Sequence, residues 1–86
     1  MDKEVKIIIS ADNGEWNRAE LDAIRLKGLN PVIVEKNGKE IVYKTKEEKP
    51  QIVMMNLFMA DIDALEVMQT ISNDNSINKP IFIVTS

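Results

Sequence analysis

Four short apolar runs, separated by stretches long enough for helices, constrain the fold of this chain more than any other feature. The runs are Val5 to Ile9, Pro31 to Glu35, Ile52 to Met55 and Ile81 to Val84. Apolar runs of this length, rich in β-branched residues, are typical of strands that are buried on both faces of a sheet. Helix-length connections between such strands favour a parallel sheet with helices on both faces. The sequence therefore predicts an α/β fold in the order β-α-β-α-β-α-β.

The first connecting stretch, Glu15 to Lys27, has the spacing of an amphipathic helix. Gly28 follows it, and glycine readily adopts the left-handed conformation that closes a helix. Asp12 precedes it with Glu15 three residues further on, which is the spacing of a capping box. The residues predicted to form the apolar face of this helix are Trp16, Ala19, Ala23 and Leu26.

The other two connecting stretches begin with capping pairs, Asn37 with Glu40 and Asp63 with Glu66. The first of these helices is predicted to end before Pro50, because proline cannot continue a helix. The second has apolar residues at the i, i+3, i+4 and i+7 positions of a single face. Those residues are Ala64, Val67, Met68 and Ile71.

Composition narrows the chemistry that a chain of 86 residues, the size of one small domain, can perform. The chain contains no cysteine or histidine, which excludes disulfides, most zinc sites and the usual catalytic base. The net charge is −3 and no basic patch is clustered, so we expect no direct contact with nucleic acid. No segment is long enough to cross a membrane and no signal-peptide core is present, so we expect a cytoplasmic protein that does not bind membranes.

The carboxyl ends of the predicted strands are the place to look for a site, because ligands bind there in parallel α/β sheets. The residues at those ends are Ser10 to Asn13, Lys36 with Asn37, Asn56 to Met59, and Thr85 with Ser86.

Several of these end segments, and one segment that precedes the third strand, follow one another in a recognisable order. They are Ala11-Asp12, Asn37-Gly38-Lys39-Glu40, Lys49-Pro50-Gln51, Met55 to Leu65, and Thr85-Ser86. In order and spacing they resemble the receiver domain of bacterial response regulators, of the two-component and sporulation phosphorelay type. The resemblance implies a flavodoxin-like, receiver-like fold with parallel strand order 2-1-3-4 and helices on both faces. It covers residues 1–86 as a single truncated domain, without the family's last helix, strand and helix.

The resemblance also implies roles for three positions in this chain. Asn56 stands where the family has its phosphate-accepting aspartate, and Thr85 stands at the switch hydroxyl. Ala11 replaces one of two paired acids, which leaves Asp12 as the acidic remnant of the pocket. Because an amide is uncharged and a poor nucleophile, we expect no phosphorylation at Asn56 and no catalysis. The chain would then be a degenerate receiver that binds a protein partner in signalling without being phosphorylated.

Asp12 leaves two alternatives open. It could bind Mg²⁺ weakly, or it could serve only as a helix cap, since one carboxylate holds a hard cation poorly. A second class of function is a small Mg²⁺-dependent α/β enzyme or nucleotide-binding domain in which Asp12 and Asn56 hold the metal. The sequence contains no glycine-rich phosphate loop, so the interaction module is favoured, and we expect no cofactor beyond this weak Mg²⁺ binding.

The fourth strand is predicted to be an open edge of the sheet. It would expose the apolar run Ile81, Phe82, Ile83 and Val84, and unpaired apolar edges pair readily with another chain. The sequence therefore predicts either a homodimer through this strand or a fragment of a longer regulator.

Overall fold

A computed structural model describes residues 5–11, 14–59 and 61–85 of the chain. The strands are β1 (Val5–Ser10), β2 (Leu29–Val34), β3 (Ile52–Asn56) and β4 (Ile81–Thr85). The helices are α1 (Arg18–Leu26), α2 (Gly38–Glu48) and α3 (Ala64–Ser72). All four strands are parallel and lie in the order β2-β1-β3-β4. The predicted α/β fold with flavodoxin-like strand order and helices on both faces is confirmed.

The two faces of the sheet are covered by different numbers of helices. Successive side chains of a strand point to opposite faces, so each strand contributes to both. Helices α2 and α3 pack on one face, which we call the two-helix face. Helix α1 packs on the opposite face, which we call the one-helix face.

The two-helix face holds the larger core. The contribution of α3 matches the sequence prediction, since Ala64, Val67 and Ile71 are fully buried and Met68 is half-buried. The buried residues of this core are Ile8, Val34, Ile41, Val53, Met55, Ala64, Val67, Ile71 and Ile77.

The predicted start and apolar face of α1 are wrong. The helix begins at Arg18, and its N-cap is Asn17, which forms a capping box with Glu20. The N-cap of α1 is thus Asn17, and Glu15 lies in the loop before the helix. Asp12, the other member of the predicted capping box, lies outside the described residues. Leu26, predicted to face the sheet, is 88% exposed.

A different pair of side chains orients α1 on the sheet. Leu21 and Ile24 are half-buried, whereas Ala19 and Ala23 are exposed. The larger side chains bury more apolar area, and their burial fixes which side of the helix faces the sheet. Trp16 does pack against the small core of this face, from the loop before α1. That core consists of Ile7, Ile9 and Ala11.

The capping pairs predicted for α2 and α3 are confirmed. The Asn37 side chain accepts a hydrogen bond of 3.0 Å from the Glu40 backbone N–H. The Asp63 side chain accepts one of 2.9 Å from the backbone N–H of Glu66. Each cap satisfies an amide at the start of its helix that has no partner within the helix.

The edges of the sheet are β2 and β4. Pro31 lies in the edge strand β2, as predicted. Proline has no backbone N–H to donate, so it is tolerated best in a strand that pairs on one side only. The predicted exposure of β4 is confirmed for Ile81, Ile83 and Val84, which are 67%, 40% and 39% exposed, but not for Phe82. Phe82 is half-buried because it packs against the core of the two-helix face.

Candidate functional site

The parallel sheet brings the carboxyl ends of all four strands to one edge, as the sequence predicts. Asn56 and Thr85 are lateral neighbours there, because they are the last register pair between β3 and β4. Ala11 follows β1 at the same edge and is buried. Asp12, the predicted acidic remnant, and Ser86 lie outside the described residues.

Thr85 is tied to β3 by hydrogen bonds of its own. Its carbonyl oxygen accepts a 2.7 Å hydrogen bond from the Leu57 backbone N–H. Its hydroxyl donates to the Met55 carbonyl oxygen at 3.4 Å, a length at which a hydrogen bond is weak. The exposed hydroxyl can therefore exchange this partner for water or another acceptor at little cost.

Asn56 is half-buried beside Thr85. In the described part of the chain, every buried side-chain nitrogen or oxygen has a hydrogen-bond partner. The described part of this edge therefore contains no buried side-chain donor or acceptor that lacks a partner. The Asn56 amide is neutral, so it supplies neither a carboxylate nucleophile nor an anionic oxygen for a metal.

An ion pair that the sequence analysis missed lies at this edge. The Lys36 Nζ atom, just after β2, is 3.3 Å from Glu15 Oε1, in the loop before α1. Both side chains are partly exposed, so the pair contributes little to stability. The sequence indicates this ion pair only weakly. Glu15 follows β1 and Lys36 follows β2, and these two strands are neighbours in the sheet.

A second contact missed from the sequence joins the loop after β3 to the start of α2. Asp61 Oδ1 accepts a 2.7 Å hydrogen bond from the Gly38 N–H, and Oδ2 accepts a 2.9 Å bond from Lys39. We call this contact the Asp61 clamp. No local pattern in the sequence reveals a partner more than twenty residues away.

The Asp61 clamp alters the acidity of the carboxyl group. Desolvation raises the pKa of Asp61, but hydrogen bonds from the backbone N–H groups of Lys39 and Gly38, joined by those of Ile62 and Asp61 itself, together favour the charged form more strongly. Together they lower the pKa to about 2. Asp61 therefore acts as a charged cap on the positive end of α2. Because both carboxylate oxygens accept hydrogen bonds from the helix, we assign Asp61 a structural role.

The described carboxylates do not assemble a metal centre. No group of three or more His, Cys, Asp or Glu side chains suited to a metal occurs among residues 5–11, 14–59 and 61–85. A depression of about 430 Å³ lies beside the end of β2, but its lining includes Glu35, Asn37 and Lys44 rather than Asn56 or Thr85. Weak Mg²⁺ binding at Asp12 stays a prediction, because that residue is not described.

Comparisons with known proteins add no family to these observations. No protein-family model matches the chain, and no solved structure matches it. Within the described residues, no helix combines the length and the apolar character needed to cross a membrane.

Proposed function

We propose that this chain is a degenerate receiver-like domain that acts in two-component or phosphorelay signalling as a protein-interaction module, independently of phosphorylation. The observation that carries the proposal is the register pair of Asn56 and Thr85 at the carboxyl edge of the sheet. It has the placement of a phosphate-accepting residue beside a switch hydroxyl, but the accepting residue is a neutral amide.

The chemistry of this edge supports an interaction role over a catalytic one. Phosphoryl transfer to a side chain needs a carboxylate nucleophile and cations that offset the negative charge. Asn56 provides no carboxylate, and the buried Ala11 provides no metal ligand. The nearby cation Lys36 is paired with Glu15.

The exposed apolar side chains of β4 supply the surface that such a module needs. Ile81 and Ile83 lie on the one-helix face, next to the open edge of the sheet. Apolar side chains that are exposed together on a strand are typical of surfaces that bind another protein. The partner can be a signalling protein or, through β4, a second copy of the chain.

A titration followed by NMR tests the loss of phosphate chemistry. Amide correlation spectra of the whole chain are recorded with Mg²⁺ and then with added beryllofluoride, which mimics an acyl phosphate. We expect the amides of Asn56 and Thr85 to stay unmoved in a well-dispersed spectrum. A saturable shift at these amides would overturn the proposal, because it would show a working phosphate pocket.

Asn56→Asp is the matched control for this titration. It changes the amide to a carboxylate of nearly the same shape, so the fold is preserved while charge and nucleophile are restored. A shift in Asn56→Asp but not in the unaltered chain would assign the loss of phosphate binding to this one side chain. Mass spectrometry after treatment with acetyl phosphate checks the same pair for a covalent phosphoryl group.

A further inference from the structure

Half of the one-helix face is uncovered in the described structure. On this face α1 packs against β2, at the far side of the sheet from β4. The other half is formed by Ile52 and Met54 of β3, which are half-buried, and by Ile81 and Ile83 of β4, which are exposed. We call these four side chains the bare patch. All four side chains are apolar, so covering the patch would break no hydrogen bond between these side chains and water.

The bare patch and α1 together form a step of a particular height. An α-helix with its side chains is about 10 Å in diameter. Two sheets that pack face to face also lie about 10 Å apart. A second sheet placed on the bare patch would therefore lie level with α1.

We propose that a second copy of this chain occupies the step, related by a twofold axis parallel to the strands. The inference rests on the proposed function, because it names the partner of the interaction module. The bare patch of each copy packs on that of the other. Helix α1 of each copy then lies beside the open β4 edge of the other copy, and covering an edge with a helix is one way in which proteins protect it.

The symmetry fixes which side chains meet. Within one chain, Met54 is beside Ile83 and Ile52 is beside Ile81. A twofold axis parallel to the strands keeps every residue at its height along them. Ile83 of one copy therefore faces Met54 of the partner subunit, and Ile81 faces Ile52 of the partner subunit.

Face packing accounts for more of the exposed surface than pairing of the two β4 edges. Edge pairing would extend the sheet and place the two bare patches side by side, with both still in water. Face packing removes both patches from water and covers both edges. Because the hydrophobic effect scales with the apolar area buried, face packing is the more favourable arrangement.

The size of the surface predicts a weak dimer. Stable complexes bury roughly 800 Å² per partner. Two strands of five residues have a footprint on the order of 160 Å², from about 3.3 Å per residue and about 4.8 Å per strand. The contact of α1 with the partner's edge adds to this area but leaves it below that of a stable complex, so we expect dissociation in the micromolar range or weaker. Because each copy carries a net charge of −3, added salt should strengthen the dimer by screening repulsion.

Light scattering coupled to size-exclusion chromatography tests the dimer over a range of concentrations. We expect the unaltered chain to approach twice its monomer mass as concentration rises. Ile83→Lys places a charge in the bare patch and should weaken association at least tenfold. Leu65→Lys is the matched control. Leu65 is an exposed apolar residue, 60% exposed, and it lies on α3, on the opposite side of the sheet from the bare patch. Leu65→Lys should dimerise like the unaltered chain, and NMR dispersion confirms that each variant is folded.

Intermolecular NOEs test the geometry. One batch carries labelled methionine methyl groups and the other carries labelled isoleucine δ1 methyl groups, in otherwise deuterated chains that are then mixed. We expect a cross-peak between the Met54 and Ile83 methyl groups, which can arise only between copies. Contacts between β4 amides of the two copies would instead show edge pairing.

Three results would overturn the proposal: a monomer at every concentration, Ile83→Lys dimerising like the unaltered chain, or the edge-pairing pattern of NOEs. Each is distinguishable from failure of the proposed function, because the beryllofluoride titration does not depend on association. A monomer with a silent titration would leave an interaction module whose partner is another protein.

Discussion

On the two-helix face, the strand residues Ile8, Val53 and Met55 are completely buried, whereas on the one-helix face Ile81 and Ile83 are 67% and 40% exposed. The strands that supply both sets are almost uniformly apolar, so strand composition alone does not explain the difference. Part of the difference lies in the helices: α2 and α3 extend across one face, and α1 reaches only half of the other. Strand position supplies the rest, since Ile9 of the central strand β1 is 1% exposed on the one-helix face and Val84 of the edge strand β4 is 39% exposed on the two-helix face. Burial in this chain is therefore decided by helix placement and strand position and not by the hydrophobicity of the strands.

The largest expected effect compares the same substitution on the two faces. Ile71→Ala removes a fully buried side chain from the two-helix core and should lower the free energy of unfolding by about 3 kcal/mol. Ile83→Ala truncates a side chain that is 40% exposed and should cost less than about 1 kcal/mol in the monomer. Urea denaturation at low protein concentration measures both.

A domain of this size has a thin stability margin, so Ile71→Ala could unfold it outright. The gentler pair Ile71→Val and Ile83→Val keeps the comparison measurable, with about 1 kcal/mol expected at Ile71. Equal losses at the two positions would show that the one-helix face is covered even at low concentration. A loss at Ile83 that grows with protein concentration would support the face-packed dimer.

Glycine substitutions compare tight packing with backbone conformation. A Cβ atom at Gly38 would lie 2.3 Å from Ile62 Cγ1 and 2.9 Å from Val67 Cγ2, so Gly38→Ala should cost about 1 to 3 kcal/mol. Gly28 has open space around it but a φ of 86°, so Gly28→Ala should cost about 1 kcal/mol through backbone strain alone.

Asparagine separates these two causes. It tolerates the left-handed conformation, so Gly28→Asn should be milder than Gly28→Ala. At Gly38 the larger side chain should be worse than alanine. Thermal unfolding of the four variants tests the two rankings, and the same ranking at both positions would contradict this account.

The smallest effect concerns the Asp61 clamp. Asp61→Ala leaves two amides at the start of α2 without their acceptor, and loss of such a cap costs about 1 kcal/mol. The pKa of Asp61 is lowered to about 2 in the folded chain, so its stabilising effect is complete above the ordinary pKa. That effect is lost as the pH falls from about 4 towards 2.

The pH dependence has its own control. Asp74 also has a pKa lowered to about 2, so the unaltered chain loses stability in acid for more than one reason. The difference between the unaltered chain and Asp61→Ala isolates Asp61, and we expect it to shrink as the pH falls through this range. A difference that stays constant from pH 7 to pH 2 would show that the charge of the clamp contributes nothing.

The sequence predicts the parts of this fold that depend on neighbouring residues. The order of elements, the Asn37 and Asp63 caps and the buried face of α3 were all predictable, because each arises within a few residues. The orientation of α1 was not predictable from the spacing of its alanines. The larger side chains of Leu21 and Ile24 bury more apolar area, and they decide which side of the helix faces the sheet. The Asp61 clamp depends on segments far apart in sequence, so no local pattern contains it. The exposure of Ile81 and Ile83 was predicted, but their meeting with Ile52 and Met54 in the bare patch depends on the pairing of two distant strands.

The candidate site was predictable to a similar extent. The meeting of Asn56 with Thr85 follows from the parallel sheet, and the sequence analysis placed both at its carboxyl edge. The ion pair of Lys36 with Glu15 depends on how two loops cross this edge. Long, flexible side chains make such pairs hard to predict before the loop geometry is known.

The Asp61 clamp has a consequence for hydrogen exchange. The amide protons of Gly38 and Lys39 can reach solvent only when Asp61 releases them, since it holds both. Asp61 lies in the segment between Asn56 and α3, so opening of that segment and fraying of the first turn of α2 should be one cooperative event. The amides of Gly38 and Lys39 should therefore exchange at matched rates. Their exchange would report the opening of the loop that contains Asp61, although they lie at the start of α2.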